Sequence, residues 1–442
     1  MKLFNFKQSH YIKYESKLIS MNYLFAFLLF FTVCFFSGGD VENWTHFRGS
    51  TLDGHSATER APVHFGAQKS IVWETSIEGI AYSSPVVFDD QIWLTSATQN
   101  GEEMFAICLD YASGGVIRKI PVFQPSEIQH IHPTNSYATP TPCIEGGVVY
   151  VHYGTYGTAA ISTSGFEVIW QRTDLNCSHM QGAASSPVIY NDLLILHLEG
   201  TDVQYVIALD KRTGKTAWKT ERPQEYYKDV EPVYRKAYIT PIVVDGNGQK
   251  QLISNGSQLC VSYDPDTGEE LWRFFYGEDS TVGMPLYYDG MIFINSGWVM
   301  SQGPPFFARF FAINLAGEGD VTVPHLIWES ETDIPQIPTP VIVDGKIYMV
   351  HDRGAVTCLD AKTGRVVWKD KLKGQFNASP VYAGGNIYFS SVQGVVYVVK
   401  PGDKFTLVAE NKIGGRIKAT PAILRNSIII RTDKKLYRFE EH

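Results

Sequence analysis

SPVVFDDQIWLTS (residues 84–96) has the pattern of a β-strand, a tight turn and a second strand. An apolar run after Pro85 is followed by a polar turn and then by alternating apolar and polar residues, which is typical of a half-buried strand. The stretch TPVIVDGKIYMVH (339–351) has the same pattern. The chain therefore repeats a β-hairpin, and the number of copies determines the architecture.

The hairpin repeats eight times, and a proline precedes the first strand of each copy. In most copies a second hairpin follows, with a D-x-x-T-G turn and a strand that carries a tryptophan, as in CLDAKTGRVVW (358–368). The prolines are separated by 40 to 57 residues, and four strands per unit at this period predict a β-propeller. The repeat residues are Pro85, Pro142, Pro187, Pro241, Pro285, Pro340, Pro380 and Pro421, with Trp73, Trp170, Trp218, Trp272, Trp328 and Trp368.

The last repeat unit, which begins at Pro421, has no tryptophan-bearing fourth strand. The sequence IVWETSI (71–77), with Trp73, precedes the first unit and belongs to no hairpin of its own. We therefore predict an all-β, eight-bladed β-propeller of four-stranded antiparallel blades, closed by an N-terminal strand around Trp73 that completes the last blade. Closure of this kind removes an exposed sheet edge. Residues 40–442 are predicted to form this single domain.

The first 39 residues are predicted to be a leader and secretory signal. Four lysines precede an apolar run at 23–36, and small residues at 37–39 follow it, which is the order of segments in a secretory signal. We expect cleavage near Gly39 and an exported, periplasmic or cell-envelope protein of a bacterium. An uncleaved anchor and a lipoprotein attached through Cys34 are the alternatives, and Met21 is an alternative start.

The net charge limits the kinds of partner that the protein can bind, and the cysteine content indicates whether disulfide bonds stabilise it. The net charge is −8, and loss of residues 1–39, with four Lys and one Glu, changes it to −11. An acidic surface repels phosphate backbones, so no nucleic-acid partner is expected. Five scattered cysteines remain, and their odd number argues against a disulfide framework. We expect them to be buried as small hydrophobic residues; they are Cys108, Cys143, Cys177, Cys260 and Cys358.

The repeat, with its SPVV start, its DG turn and its LD-x-x-TG-x-x-VW segment, resembles the PQQ-like (pyrroloquinoline quinone) β-propeller repeats. WTHFRGSTLDG (44–54) resembles an N-terminal segment of many secreted members of that family. The resemblance covers nearly the whole mature chain and implies the fold. For function it implies two classes. Quinoprotein dehydrogenases hold pyrroloquinoline quinone and Ca²⁺ over the central channel, whereas BamB-like members are protein-binding scaffolds without a cofactor.

The residues favour the scaffold class. Quinoprotein alcohol dehydrogenases resemble one another in placing two adjacent cysteines against the quinone, and this chain has no Cys-Cys pair. A Ca²⁺ ion needs several converging oxygen ligands. The segment DPDTGEE (264–270) is similar to a calcium loop, but it is one copy of the D-x-x-T-G turn. We therefore predict no catalytic residue, no metal and no cofactor, with a quinoprotein-type oxidoreductase that binds pyrroloquinoline quinone and Ca²⁺ as the alternative.

Three long connections indicate where a partner would bind. Two of them, at 121–138 and 221–238, join an outer strand to the next inner strand, and the third, at 298–307, lies inside the fifth unit. In an up-and-down blade these connections emerge on one rim of the ring, and insertions in repeat proteins collect on the binding face. The candidate rim residues are His130, His132, Asn135, Tyr137, His152, His179, Gln181, Tyr226, Tyr227, Tyr234, Trp298 and Phe306.

These residue types are compatible with three kinds of site. Aromatic side chains with polar tips are enriched in protein interfaces and stack on sugars, so an envelope protein or a glycan is the expected partner. Imidazoles near one rim would also suit a transition metal or histidine-based catalysis, although the chain has no H-x-x-x-H spacing. The sequence thus predicts an exported, non-catalytic scaffold that binds a protein or glycan through one rim, with a carbohydrate-binding propeller as a further alternative.

Overall fold

Eight sheets, each built around four antiparallel strands, form the blades of a β-propeller. The computed structural model describes residues 42–246, 248–277, 281–297 and 308–441. The prediction of an all-β, eight-bladed propeller is confirmed. Within the part of the chain that is described, no helix has the length and apolar character needed to cross a membrane.

Two predictions concern residues outside the described part. The first is the leader and signal at 1–39, and the second is the long connection at 298–307, with Trp298 and Phe306. Both stay predictions.

The strands follow the predicted hairpins. The first thirteen are β1 (Ile71–Ser76), β2 (Val86–Phe88), β3 (Gln91–Ala97), β4 (Met104–Asp110), β5 (Val116–Phe123), β6 (Cys143–Glu145), β7 (Val148–His152), β8 (Thr158–Ser162), β9 (Val168–Arg172), β10 (Val188–Tyr190), β11 (Leu193–Glu199), β12 (Gln204–Asp210) and β13 (Thr216–Glu221). The next nine are β14 (Ile242–Gly246), β15 (Gln249–Asn255), β16 (Leu259–Tyr263), β17 (Glu270–Phe275), β18 (Leu286–Tyr288), β19 (Met291–Asn295), β20 (Phe310–Asn314), β21 (Gly319–Asp320) and β22 (Leu326–Ser330). The last eleven are β23 (Val341–Val343), β24 (Lys346–Val350), β25 (Ala355–Asp360), β26 (Val366–Lys371), β27 (Val381–Ala383), β28 (Asn386–Ser390), β29 (Val395–Val399), β30 (Leu407–Lys412), β31 (Ala422–Leu424), β32 (Ser427–Arg431) and β33 (Lys435–Glu440).

Each repeat proline opens a blade whose short first strand lies nearest the channel. Blades 1 to 4 begin at β2, β6, β10 and β14, and blades 5 to 8 begin at β18, β23, β27 and β31. Among the described connections, three single-turn 3-10 helices lie at Gly154–Tyr156, Gln224–Tyr226 and Pro232–Tyr234. In blade 4, β21 adds a fifth strand by pairing parallel to β17, so the connection between β20 and β22 of blade 5 covers that sheet edge.

The ring closes at blade 8, whose outer strand is β1 from the N-terminal side of the chain. β1 pairs antiparallel with β33, and Trp73 lies opposite Arg438. This is the position that the sequence predicts for the strand around Trp73. The seam of the ring therefore depends on hydrogen bonds and packing between strands that are far apart in sequence.

Repeat tryptophans tie one blade to the next. Trp218 Nε1 donates to the carbonyl of Pro265 in the D-x-x-T-G turn of blade 4, at 3.1 Å. Gly268 in that turn has a φ of +75°, and a Cβ there would lie 2.4 Å from the Trp218 ring. The turn therefore requires glycine both for its backbone and for the close contact. The same indole bond to the following blade is made by Trp73 to Tyr111, Trp170 to Lys211, Trp328 to Ala361 and Trp368 to Gly402, at 2.9–3.0 Å.

A second set of bonds circles the channel, and it explains why Ser or Thr precedes the repeat prolines. We call these residues the hydroxyl collar: Ser84, Thr141, Ser186, Thr240, Thr339, Ser379 and Thr420. At blade 5 the equivalent position is Met284. The N–H of one position donates to the hydroxyl oxygen of the next blade, at 2.9–3.1 Å; these bonds run from Ser84 to Thr141, Thr141 to Ser186, Ser186 to Thr240, Met284 to Thr339, Thr339 to Ser379 and Ser379 to Thr420.

We expect Thr240→Val to lower the free energy of unfolding by about 1–3 kcal/mol, because the buried N–H of Ser186 loses its acceptor. Thr240→Ser keeps the hydroxyl and is the matched control, with a smaller expected loss. Urea unfolding followed by tryptophan fluorescence measures both. Equal losses for the two variants would show that the collar bond contributes little.

The segment before β1 crosses the channel, and we call residues 42–60 the cross-channel segment. The carbonyl of Thr45 accepts from the N–H of Ile144 in blade 2, at 3.0 Å. Arg48 Nη1 donates to the carbonyl of Thr339 at blade 6, at 2.7 Å. Blades 2 and 6 face each other across an eight-membered ring, so the segment spans the channel. No strand periodicity in its sequence predicts this course.

Candidate functional site

The central channel opens into a cavity of about 440 Å³ at the rim that carries the two described long loops. All eight blades line it through the connections that precede their inner strands. Phe47 of the cross-channel segment also lines it, so this segment closes the channel below the cavity. The cavity is therefore a cup that is open at one rim, and we refer to it as the cup.

Four of the predicted rim residues line this cup: His132, Asn135, Gln181 and Tyr234. Asn135 Nδ2 donates to the carbonyl of Gln181 at 2.8 Å, and the backbone N–H of His132 donates to the same carbonyl at 3.4 Å. These bonds tie the loop before blade 2 to the connection before blade 3. Tyr234 comes from the loop before blade 4, so both described long loops reach the same mouth.

Two lysines that sequence reasoning missed also line the cup, Lys418 and Lys236. Lys418 Nζ donates to the carbonyl of Thr134 at 2.6 Å and lies 4.0 Å from the centre of the Tyr82 ring. Lys236 is buried and donates to the carbonyl of Val233. A single lysine in a loop carries no recognisable pattern, so only the closed ring shows that these two residues line one cavity.

Lys418 should titrate at a pH of about 8, well below an ordinary lysine. Burial is the main cause of the lowered pKa, the charge of Arg416 lowers it further, and Asp433 opposes the shift. Because the unfolded chain then holds this proton more tightly, the contribution of Lys418 to stability rises with pH from about 8 to the ordinary lysine range near 10.4.

Carbon-13 NMR of the reductively methylated protein measures this pKa, and the spectrum of Lys418→Gln assigns the resonance. The ring of Tyr82 faces the amine, so the resonance should also show an aromatic ring-current shift. A midpoint near 10.4 would contradict the expected burial of the charge.

Three predicted residues lie outside the cup. His130 is exposed. Tyr137 is half-buried, and its hydroxyl donates to the carbonyl of Gln129 at 3.1 Å. Tyr226 packs against Phe275 of blade 4, with ring centroids 5.1 Å apart. None of these three side chains lines the cup.

The structure differs from the sequence-based expectation for His152, His179 and Tyr227, which are buried rather than displayed at the rim. Burial lowers the pKa of His152 to about 3 and that of His179 to about 4, so both imidazoles are neutral at physiological pH. His152 Nδ1 lies 2.8 Å from the hydroxyl of Thr158. In the described ranges, no three His, Cys, Asp or Glu side chains are placed to hold a metal ion. The spacing in the sequence does not show which loops cover these strand ends.

Tyr227 belongs to a buried polar cluster around Glu199, a residue that the sequence reasoning missed. Its hydroxyl donates to Glu199 Oε1 at 2.6 Å, and the backbone N–H of Ser257 donates to the same oxygen at 3.0 Å. Arg222 Nε lies 3.6 Å away. Burial alone would raise the pKa of Glu199, but Arg222 and His197 outweigh it and lower the pKa. The carboxylate is therefore ionised and holds the start of the 221–238 loop.

Ser254, His197 and Glu199 are arranged similarly to a hydrolytic triad. His197 Nδ1 lies 2.8 Å from the Ser254 hydroxyl, and Nε2 lies 3.1 Å from Glu199 Oε2. All three residues are at most 1% exposed, so no substrate carbonyl can reach the hydroxyl. The arrangement is a structural lock between blades 3 and 4. A histidine and a glutamate inside the apolar strand LLILHLE were its only sign in the sequence.

A second cavity, of about 580 Å³, lies beside the loop between blades 1 and 2. Apart from Glu127, its polar lining residues are uncharged amides and hydroxyls: Gln124, Gln129, Gln171, Asn176, Thr155, Thr173 and Ser126, next to Tyr156. Amides both donate and accept hydrogen bonds. This amide groove therefore matches the chemistry of sugar hydroxyls.

The donor set of the cup does not fit a quinone held by Ca²⁺. The cup residues within the described ranges carry hydroxyl, amide, imidazole and ammonium groups but no carboxylate. Ca²⁺ binds through several oxygen ligands among which carboxylates dominate. The described cysteines are free and buried, as predicted, and none of them lines the cup.

Comparison with known proteins agrees with the repeat architecture. A family model described as "Outer membrane protein assembly factor BamB" matches residues 63–221, 202–303 and 325–440, which is most of the chain. Outer membrane protein assembly factor BamB of Yersinia pestis is 20% identical over 274 residues, which are 51% of this chain and 66% of that protein. The match thus spans just under two thirds of that relative.

Solved structures of both functional classes share the fold. BamB from Moraxella catarrhalis superposes with a TM-score of 0.58 at 14% identity, covering 84% of this chain and 99% of that one. Quinohemoprotein alcohol dehydrogenase from Comamonas testosteroni superposes with a TM-score of 0.65 at 10% identity, covering 90% of this chain and 81% of that one. At these identities the likeness concerns the fold, and function has to be argued from the site.

Proposed function

Since this chain belongs to the PQQ-like repeat family described as outer membrane protein assembly factor BamB, we propose that it is an exported, non-catalytic propeller scaffold that binds a protein partner through the rim around the cup. The description of the family suggests a partner that takes part in outer membrane protein assembly in the cell envelope.

The observation that supports this proposal most is the anchoring of the 221–238 loop. The buried carboxylate of Glu199 holds Tyr227, and Ser257 Oγ donates to the carbonyl of Tyr234 at 2.6 Å. The half-buried side chain of Tyr234 is thereby presented at the mouth of the cup. A loop that is ordered before binding loses less entropy in the complex, which favours a rigid docking surface.

Site-specific photo-crosslinking in the bacterial envelope tests this surface. A photoreactive residue at position 234 should give a defined protein adduct, and Tyr234→Ala should weaken recovery of that protein from envelope extract. Tyr190 is the matched control, because it lies at the end of β10 that points away from the rim of the cup, whereas Pro187 precedes the end at that rim. Adducts at position 190 with none at 234 would overturn the proposed binding face.

The enzyme alternative has its own test. Purified protein is mixed with pyrroloquinoline quinone and Ca²⁺ and assayed for dye-linked alcohol oxidation. We expect no turnover, since the cup does not supply the ligands that the quinone–calcium pair requires. Sustained turnover would overturn the non-catalytic proposal.

The amide groove supports a second candidate, a glycan partner. Gln171 Nε2 donates to the carbonyl of Val122 at 2.7 Å, which fixes one amide of the groove in place. Glycan-array binding that is lost in Gln124→Ala and retained in Tyr234→Ala would favour this candidate. Binding that is lost only in Tyr234→Ala would favour the cup as the glycan site.

A further inference from the structure

The hydroxyl collar supplies hydrogen-bond donors to the cup. Its seven residues line the cavity, and six of their oxygens accept an N–H from the preceding blade. A hydroxyl has one hydrogen of its own, and within the described residues these six hydrogens have no acceptor in the protein. Their donors are therefore available to a molecule in the channel. Such a ring of donors is suited to an acceptor-rich ligand.

Cationic side chains surround the same cavity. Lys418 and Lys236 are part of its wall. Arg431 lies behind the collar, where its Nη1 donates to the hydroxyl of Ser83 at 2.6 Å and to the carbonyl of Thr95 at 2.9 Å. Arg431 is 3% exposed, so its charge acts through a region of low dielectric constant and is weakly screened.

Arg48 adds a fourth charge at the closed end. Its guanidinium is fully buried and donates to the carbonyls of Thr339 and Pro340, both at 2.7 Å. Burial lowers the pKa of Arg48 to about 10 and outweighs the attraction of Asp53. The Arg48 guanidinium thus donates to neutral backbone carbonyls and not to a carboxylate. Its positive charge is not cancelled by these bonds, so its potential extends toward the cup.

We propose that the cup binds an acidic peptide segment of the protein partner, with the peptide carboxylates accepting hydrogen bonds from the collar and facing Lys418. This inference rests on the proposed scaffold function. The closed end at Phe47 means that an occupant enters from the rim, and a volume of about 440 Å³ admits a few side chains of a partner but no folded domain. The net charge of −8 does not prevent this, because salt screens charges that lie more than about 8 Å away.

Fluorescence anisotropy with two labelled peptides tests the proposal. One peptide has four consecutive glutamates, and the other has four glutamines in the same frame. At an ionic strength of about 0.15 M the full protein should bind the glutamate peptide and not the glutamine peptide. Addition of roughly 0.5 M NaCl should weaken binding, because salt screens the exposed part of the charge attraction over a few ångströms.

Two variants locate the site. Lys418→Gln should weaken binding of the glutamate peptide about tenfold, since it removes a charge-assisted contact. Lys371→Gln removes the same charge from the exposed outer strand β26 and should leave the affinity unchanged. Thr240→Val should weaken binding relative to Thr240→Ser, and this pair tests the collar separately from the charge.

The outcomes are distinct. Binding of the glutamate peptide that depends on Lys418 and on the Thr240 hydroxyl supports the proposal. Equal binding of both peptides, binding that is unchanged in Lys418→Gln, or no binding at all overturns it. Binding of citrate, measured by isothermal titration calorimetry and lost in Lys418→Gln, without any peptide binding would assign the cup to small free carboxylates and also overturns the proposal. A partner crosslink at position 234 that survives in Lys418→Gln would leave the scaffold function standing while the acidic-peptide inference fails.

Discussion

Replacing Glu199 with glutamine should lower the free energy of unfolding by about 3–5 kcal/mol. The carboxylate is fully buried and is the anionic partner of Arg222, which is also buried. Burial by itself would lower the pKa of Arg222, but Glu199 more than compensates and raises it. In the variant this guanidinium keeps its charge without the anion that balances it. Chemical denaturation measures the loss, and Glu102→Gln, at an exposed position, is the control with the same change of charge.

The same variant should loosen the rim. Glu199 Oε1 accepts from the Tyr227 hydroxyl and from the Ser257 N–H, so its replacement weakens the attachment of the 221–238 loop. Amide exchange in this loop should accelerate, whereas exchange in β26 should not. The double variant Glu199→Gln/Arg222→Met should be more stable than the sum of the single losses predicts, because no unpaired charge remains. Strict additivity, or a single-variant loss below about 0.5 kcal/mol, would refute the proposed lock.

Acid should act through the same carboxylate. The folded-state pKa of Glu199 is lowered, so its contribution is present above the unfolded pKa of about 4.3 and is lost as the pH falls through the folded value. We expect the 221–238 loop of the wild-type protein to become accessible to limited proteolysis in acid before the blades unfold. In Glu199→Gln the loop should already be accessible at neutral pH, and acid should not increase its cleavage further. Identical acid dependence in both proteins would place the effect at another group.

The fold was predictable because its information is local. Each S/T-P start, polar turn and D-x-x-T-G…W segment specifies one hairpin, and the closed ring follows from repeating it. The structure adds the physical reason for two of these signals: the Ser or Thr accepts an N–H from the neighbouring blade, and the turn glycine makes room for an indole, as Gly268 does for Trp218. The sequence pattern alone showed the spacing but not these contacts.

The site was less predictable because it depends on contacts between distant residues. The spacing that placed His152 at a strand end did not show that neighbouring loops bury it. Glu199 and Tyr227 meet only after the 221–238 loop folds back over blade 3, and Lys418 meets Thr134 only when blade 8 closes beside blade 1. The course of the cross-channel segment was unpredictable for the same reason, because it is set by single hydrogen bonds to several blades that are distant in sequence.

Trp73→Ala should lower the free energy of unfolding by about 3–5 kcal/mol and should also open the seam of the ring. The indole is 7% exposed, donates to the carbonyl of Tyr111 at 3.0 Å and packs on Gly114, where a Cβ would lie 2.4 Å from the ring. β1 is joined to β33 only by pairing, whereas the fourth strands of blades 1, 2, 3, 4, 6 and 7 are each connected to the third strand by a turn within their own blade. Loss of the indole therefore removes an anchor that no hairpin replaces.

Trp368→Ala is the matched control for this seam, because Trp368 makes the same kind of bond in blade 6, to the carbonyl of Gly402 at 2.9 Å. Both variants should lose similar stability, but only Trp73→Ala should accelerate amide exchange throughout β33, since detachment of β1 turns β33 into an exposed edge strand. Aggregation should follow the same order, with Trp73→Ala the more prone, because an unpaired edge recruits strands from other molecules. Equal exchange protection of β33 in the two variants would mean that blade 8 holds together without the tryptophan, and that the cross-channel segment, through contacts such as that of Thr58 with Asn426, is what keeps the ring closed.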